Sequence, residues 1–389
     1  MRRTAEEMGR GLIRSIIVNF LSAAGPSRIG TIELMPSSYP GFATPQGTAK
    51  VAARFPALAA KGFYRVAQGL TISSLGLGSY LGNIDEATDA GYTAAVTLAL
   101  RNGINFIDTS LNYRNQSSEL NIGQALAALI DAGELERDQF AVCTKAGYLV
   151  PGAVPTSILR PSDVVGNMHS MARAFLKDQL GRSLANLRLS CIDVFYLHNP
   201  ETQLQYVSAV EFYSEVRGAF ETLEAEVAAG RIRYYGAATW NGFRTQREGE
   251  GLSLVRLAEI AADVAGPDHH FRFIQLPFNL SMTEGATFER ESLQGRPAST
   301  LAVAQSLGIS AVASASLLQS RLASGLPDQV AVSLPGLATD AQRAIQFARS
   351  APGIVSALTG MSNPAHVNEN LGVAAVAPAD LSAWFSNSR

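Results

Sequence analysis

From about residue 75 onward, short β-type runs alternate with helix-like segments eight times, and few folds accommodate that rhythm. The runs are Leu75–Gly78, Ile104–Asp108, Phe140–Lys145, Ile192–His198, Arg233–Ala238, Phe273–Pro277, Ser310–Ser314 and Val355–Thr359. Helical segments come after them, among them Asp89–Arg101, Ser118–Asp131, Phe212–Ala229, Leu252–Ala265 and Thr300–Leu307. Asp89 and Ser118 stand where N-caps belong, and Gly103, Gly230 and Gly308 follow apolar helical runs as C-terminal glycines do. Eight strand–helix units in one chain predict an α/β fold, a closed parallel (β/α)8 TIM barrel with an N-terminal extension and long βα loops. A doubly wound open sheet is the rival. Its Gly-rich phosphate loop should follow the first strand, and Gly76-Leu-Gly78-Ser-Tyr-Leu-Gly82 does not spell it. Only 16% of residues are charged, against about 25% in ordinary domains. A parallel core covered on both faces accounts for that.

Two segments decorate the barrel. Residues 1–66 precede its first strand, so the expected organisation is an extension over 1–66 and a barrel over 67–389. Arg2-Arg3 and the run from Leu12 to Ala24 faintly resemble a signal peptide, but Glu6, Glu7, Arg10, Arg14 and Asn19 interrupt it. Leu12, Ile16, Ile17, Phe20 and Leu21 instead recur at helical spacing, which predicts an amphipathic helix docking on the barrel or on a second subunit. A homo-oligomer through this extension is one expected consequence. The second decoration, residues 148–166, is rich in Pro and Gly and lies between the third strand and its helix, where a substrate lid would sit. Cys143 and Cys191 lie in apolar runs and read as buried thiols, which suits the cytoplasm. No apolar stretch reaches membrane-spanning length, and a net charge of −2 gives no pull toward nucleic acid.

The chemistry is written at the strand ends. The second, third and fourth runs close on Asp108, Lys145 and His198. Adjacent strands of a barrel bring such residues together at its mouth, and Tyr113, on the loop after Asp108, reaches the same space. Singly, each has an ordinary explanation: a cap, a solvated lysine, a structural histidine. Together they suit carbonyl reduction. Tyr113 would donate a proton, Lys145 would pull the phenol toward phenolate, and Asp108 would hold the lysine. His198 would donate a hydrogen bond to the same carbonyl oxygen. His169, His269, His270 and His366 show no metal-ligand spacing and no G-x-S-x-G elbow occurs, so metal-assisted and serine hydrolysis fit poorly.

At this point the sequence resembles the aldo-keto reductase family. The likeness rests on Gly103-Ile-Asn-Phe-Ile-Asp108-Thr-Ser-Leu-Asn-Tyr113 with Ser118-Glu119 and Gly123, on Phe140-Ala-Val-Cys-Thr-Lys145, and on Ile192-Asp193-Val-Phe-Tyr-Leu-His198. It runs in order from about Leu75 to Leu371. The resemblance implies an NAD(P)-dependent oxidoreductase that interconverts a small aldehyde or ketone and its alcohol. Its tetrad falls on Asp108, Tyr113, Lys145 and His198. It also implies a nicotinamide cofactor, NADP or NAD, lying across the mouth. Gln275 and Thr239 (or Asn241) would meet the carboxamide. Ser314 and Leu317, after the seventh strand, would line the cofactor, and Arg321 would lie near its pyrophosphate. Gly360, Asn363, His366, Glu369 and Asn370 would meet its adenosine end. The family commonly carries Ser-Asn after the fifth strand, an aromatic after the seventh, and Lys and Arg at the 2′-phosphate. This chain has Thr239-Trp240-Asn241, Ser314-Ala-Ser-Leu317, and Gly360 and His366 at those places. A neutral imidazole cannot grip a phosphate as a guanidinium does. A nucleotide-binding regulatory or partner-binding protein on the same barrel is the alternative reading.

Overall fold

The computed structural model describes residues 38–245, 249–381 and 384–385. The helix expected around Leu12–Leu21 lies outside these residues.

Eight parallel strands close into a barrel in the order β3 (Leu75–Gly78), β4 (Phe106–Asp108), β5 (Ala141–Ala146), β6 (Ile192–His198), β7 (Ile232–Ala238), β8 (Phe271–Pro277), β11 (Ser310–Ser314) and β12 (Ile354–Gly360). A helix succeeds each: α2 (Glu86–Arg101), α3 (Ser117–Asp131), α4 (Arg173–Leu187), α5 (Ala209–Ala228), α6 (Leu254–Ala265), α7 (Thr300–Ser306), α8 (Asp340–Ser350) and α9 (Pro364–Leu371). Two hairpins are additions, β1 (Tyr64–Ala67) with β2 (Leu70–Ser73), and β9 (Glu291–Leu293) with β10 (Arg296–Ala298).

Alternation along the strands divides the core in two. One set faces the helices, including Ile107, Val142, Phe195, Leu197, Ile274 and Leu276. The other fills the barrel interior, with Phe106, Cys143, Val194, Tyr196, Phe273, Val312 and Leu358. Successive side chains of a strand point to opposite faces, so every second residue shares a side. Asp108, Lys145, His198 and Gln275 have the parity of the interior set, and each caps the apolar filling at the C-terminal end of its strand.

Leu70 and Ile72 of the first hairpin join the interior cluster and help fill the opposite end. There Asp193 accepts from Ala43 N at 2.7 Å, Val142 N at 2.8 Å and Arg137 Nη2 at 2.7 Å. A helix, α1 (Pro45–Arg54), precedes the hairpin, with Thr44 as its N-cap. The boundary expected at residue 66/67 therefore falls inside strand β1, whose hairpin packs with the barrel.

Two expected caps sit elsewhere. Asp85, not Asp89, caps α2 by accepting from Thr88 N at 2.8 Å. Asp89 lies in the first turn and accepts from Arg114 and Asn121. Ser118 lies inside α3, and its hydroxyl donates to Ser79 O at 2.7 Å. In both cases the helix starts before the apolar pattern does. Gly103, Gly230 and Gly308 all have positive φ, the backbone state a helix C-terminus favours.

Candidate active site

Lys145 is the centre of the barrel mouth. It is wholly buried, and Nζ donates to Asp108 Oδ2 at 2.6 Å and to Thr109 O at 2.7 Å. The Tyr113 hydroxyl lies 3.3 Å from the same nitrogen, and the Tyr113 ring centroid 4.8 Å from it. His198 stands edge-to-face with Tyr113, ring centroids 5.7 Å apart. The four residues singled out at the strand ends and on the adjoining loop are thus in one place.

Burial dominates the proton affinities. It holds the Tyr113 phenol well above the usual tyrosine range, and the Asp108 charge adds to that. The expectation that Lys145 would pull the phenol toward phenolate is therefore corrected. Desolvation and the neighbouring carboxylate push the other way, so Tyr113 keeps its proton. Burial also drives His198 well below the ordinary histidine value, helped by the Lys145 charge. Its imidazole is neutral. Burial pushes the Asp108 carboxyl up, while Lys145 and Gln275 draw it back.

Other side chains complete the mouth. Ser110 Oγ lies 3.1 Å from His198 Nδ1. His169 is buried beneath His198, with Nε2 2.7 Å from the His198 carbonyl oxygen, and burial lowers its pKa to about 4. Tyr148 packs edge-to-face on both histidines, and Asn199 donates to its hydroxyl at 2.9 Å. Tyr80 packs on Tyr113 from outside. Glu201, just beyond β6, reaches across to the next strand. Its Oε1 accepts from Trp240 N, Asn241 N and Gly242 N at 2.8, 3.0 and 3.1 Å. Ser110 and Glu201 stand inside or beside the strand-end motifs. His169 carries no sequence signal, because only folding brings it under β6.

The segment 148–166, expected as a lid, is pinned at several points. Val150 and Ala153 bury against Leu111, and Gln179 Nε2 donates to Ala153 O at 3.0 Å.

The expected cofactor residues spread around the rest of the mouth. Gln275, on β8, donates through Nε2 to Asp108 Oδ1 at 2.8 Å. Just beyond the C-terminal ends of the two strands flanking it, the hydroxyls of Thr239 and Ser316 are buried without a partner among the described residues. Three adjacent strand ends thus offer an amide and two unmet hydroxyls, a set that fits the carboxamide end of a nicotinamide. Ser314 ends β11, and half-buried Leu317 lies just beyond. Arg321 is exposed and makes no ion pair with a described residue. A Cβ added at Gly360 would meet open space. Asn363 caps α9 by accepting from Ala365 N at 2.9 Å. On α9, His366 and Glu369 are exposed and Asn370 is buried. Asn241 points its amide oxygen toward Arg244. Among the described residues no group of His, Cys, Asp and Glu is arranged to hold a metal ion, and no helix is long and apolar enough to cross a membrane.

Residues 74–248 match the model of the Aldo/keto reductase family. L-galactose dehydrogenase of Arabidopsis thaliana is 28% identical over 170 residues, covering 43% of this chain and 45% of the relative. D-threo-aldose 1-dehydrogenase of a Pseudomonas species is 30% identical over 183 residues, covering 44% and 51%. The chain spans about half the length of the curated relatives it matches. Among solved structures, an aldo/keto reductase from Klebsiella pneumoniae in complex with NADP and acetate superposes with a TM-score of 0.57 at 19% identity, over 84% of this chain and 95% of that one. That likeness shows the fold.

Proposed function

We propose, from the premise that this chain carries an aldo/keto reductase domain, that it is an NAD(P)-dependent oxidoreductase interconverting a small aldehyde or ketone and its alcohol. The observation that carries the reading is the contact of Lys145 Nζ with both Asp108 Oδ2, at 2.6 Å, and the Tyr113 hydroxyl, at 3.3 Å. A bound reduced nicotinamide would supply the hydride, held by Gln275 and the hydroxyls of Thr239 and Ser316. NADP and NAD both remain within the reading. The Klebsiella reductase binds NADP, whereas this chain has Gly360 and His366 where a phosphate-gripping Lys and Arg are expected.

The chain's own groups handle the proton. Tyr113 arrives protonated because burial and the Asp108 charge oppose ionisation. It can therefore donate a hydrogen bond to a carbonyl oxygen in the ground state. As negative charge gathers on that oxygen, the phenol proton moves to it, and the phenolate left behind faces the Lys145 ammonium. Asp108 and the Thr109 carbonyl keep that ammonium in position throughout, so stabilisation needs no rearrangement at the moment of transfer. In the reverse direction the phenolate takes the alcohol proton. The Arabidopsis and Pseudomonas relatives are dehydrogenases of sugars, which supports a small polar substrate among Tyr80, Tyr148, Asn199 and Trp240.

Replacing Tyr113 by Phe tests this. Turnover of carbonyl substrates is expected to fall by about 10²- to 10⁴-fold, the usual worth of a positioned acid. Titration of nicotinamide fluorescence with NADH and NADPH should show binding retained. Unchanged turnover would defeat the role.

A further inference from the structure

The chain leaves Tyr113 by a costly route. Arg114, Asn115 and Gln116 have φ of 48°, 51° and 76°, three left-handed residues in succession. Side chains disfavour that region. Glycine enters it freely and asparagine occasionally, as single residues. Arg114 and Gln116 have no such latitude, so surrounding contacts must hold the turn. Among the described residues the Tyr113 hydroxyl has one hydrogen-bond partner, Lys145 Nζ at 3.3 Å, and that long contact does little to aim the ring.

The Arg114 guanidinium supplies the hold. It is buried, with Nε donating to Asn83 O at 2.8 Å and Nη2 to Asp89 Oδ1 at 2.6 Å. Its central carbon lies 5.0 Å from the Tyr92 ring centroid. Asp89 and Tyr92 are neighbours on one face of α2, and Asn121 of α3 donates to the same Asp89 oxygen at 2.8 Å. The Tyr92 hydroxyl in turn donates to Leu81 O. The loop between β3 and α2 is thus gripped at Leu81 and at Asn83. That loop carries Tyr80, whose ring packs on Tyr113 with centroids 5.0 Å apart. One buried side chain therefore fixes both the backbone course just after Tyr113 and the loop whose ring bears on Tyr113 from outside.

We propose that Arg114 is a positioning residue for the reaction: by locking the left-handed turn to α2 and to the Tyr80 loop, it holds the Tyr113 hydroxyl against Lys145. The reaction itself rests on the oxidoreductase reading, and the clamp on Tyr113 does not. β4, which leads into this turn, stands opposite β8 in the ring of eight strands. Arg114 therefore works on the side of the mouth away from Gln275, Thr239 and Ser316, and its loss should lower kcat while leaving nicotinamide binding in place.

Arg114→Gly tests this in the full-length protein, because glycine accepts the left-handed backbone and removes only the clamp. Carbonyl reduction at saturating cofactor is expected to lose roughly 10- to 100-fold in kcat, the scale for a reacting group displaced by about an ångström. Fluorescence titration with NADPH and NADH should give affinities within about twofold of the wild type. A merely structural arginine would lower the urea midpoint and leave kcat of the folded protein unchanged, which overturns the proposal. A double-variant cycle asks whether the effect runs through Tyr113. In the Tyr113→Phe background, Arg114→Gly should change the residual turnover by less than about twofold, and costs that simply multiply overturn the proposal. Carbon NMR of protein labelled in its tyrosine rings gives a readout independent of turnover. The Tyr113 signals, identified by their loss in Tyr113→Phe, should shift or broaden in Arg114→Gly, and unmoved signals overturn the proposal. Moved signals in a protein whose wild type reduces no carbonyl would support the clamp and count against the oxidoreductase reading. Should the glycine variant fail to fold, Arg114→Lys carries the test. It keeps a charge for Asp89 and loses the fork that also reaches Asn83 O. Its kcat should fall at least about threefold, and an undiminished kcat overturns the proposal.

Discussion

Gln275 donates to Asp108 across the barrel interior, Nε2 to Oδ1 at 2.8 Å, while the other oxygen of the same carboxylate takes Lys145 Nζ at 2.6 Å. The residue proposed to hold the nicotinamide and the pair proposed to serve Tyr113 therefore form one network, and substitutions at Gln275 should be felt in both places. Gln275→Met keeps the volume and removes the amide. It is expected to weaken nicotinamide binding by roughly 5- to 150-fold, the range for about 1–3 kcal/mol of lost polar contact, and to lower kcat as well. Fluorescence titration reads the first and steady-state kinetics the second. A binding defect with kcat intact would mean that the bond to Asp108 has no catalytic consequence.

The Asp108–Lys145 pair has a stability signature distinct from its catalytic one. Both side chains are buried, Lys145 wholly. Removing one charge strands the other, which typically costs about 3–5 kcal/mol. Lys145→Met and Asp108→Leu should each lower the urea midpoint accordingly. The double variant, which removes both charges, should recover most of the loss while remaining inactive. A double variant as unstable as the sum of its parents would show that the two sites do not interact.

Much of this site was legible because a strand has period two. Once Asp108, Lys145 and His198 are seen to end three apolar runs, barrel geometry places them together. Gln275 joins them by the same parity on β8. What the sequence concealed depends on distances between elements remote in the chain. His169 looks like an isolated histidine until the chain after Tyr148 returns beneath β6. The sign of the Tyr113 shift was hidden for a related reason. A cation nearby argues for phenolate, but burial and the Asp108 charge prevail, and burial is a property of the folded site. The caps at α2 and α3 were misplaced because their first turns carry little of the apolar pattern that marks a helix. The first hairpin lies outside the strand–helix alternation by which the barrel is read, because its two strands pair with each other through a tight turn and no helix stands between them.

His169 should leave a mark on the pH dependence of stability. Its folded pKa is about 4, against 6.5 for an exposed histidine, because burial disfavours the charged ring. Below pH 6.5 the unfolded chain takes up a proton that the native site refuses, so unfolding gains as pH falls toward 4. The gap between those two values corresponds to about 3 kcal/mol once the pH is well below both. Urea unfolding of the wild type and His169→Gln at pH 4.5, 5.5 and 7.5 separates this effect from that of buried carboxyls such as Glu119, whose raised pKa acts in the opposite sense. The stability difference between the two proteins should move in favour of the variant as the pH drops. A constant difference would mean that His169 titrates normally.

Glu201 presents the last case, a buried carboxyl serving a loop. Oε1 gathers the three amides of Trp240, Asn241 and Gly242, while Oε2 is buried without a partner among the described residues. Burial raises its pKa, and the three amide bonds oppose that rise. Glu201→Gln keeps an acceptor oxygen and replaces the costly buried charge by a neutral amide, so it should cost little stability at neutral pH. Glu201→Ala leaves three amides unmet, and at about 1–3 kcal/mol for each buried group left unsatisfied it should be clearly destabilising. Thr239 immediately precedes this loop, so Glu201→Ala should also raise KM for the cofactor more than it lowers kcat. Glu201→Gln should resemble the wild type in both. If Gln were as damaging as Ala, the negative charge itself, and not the gathering of amides, would be what the site requires.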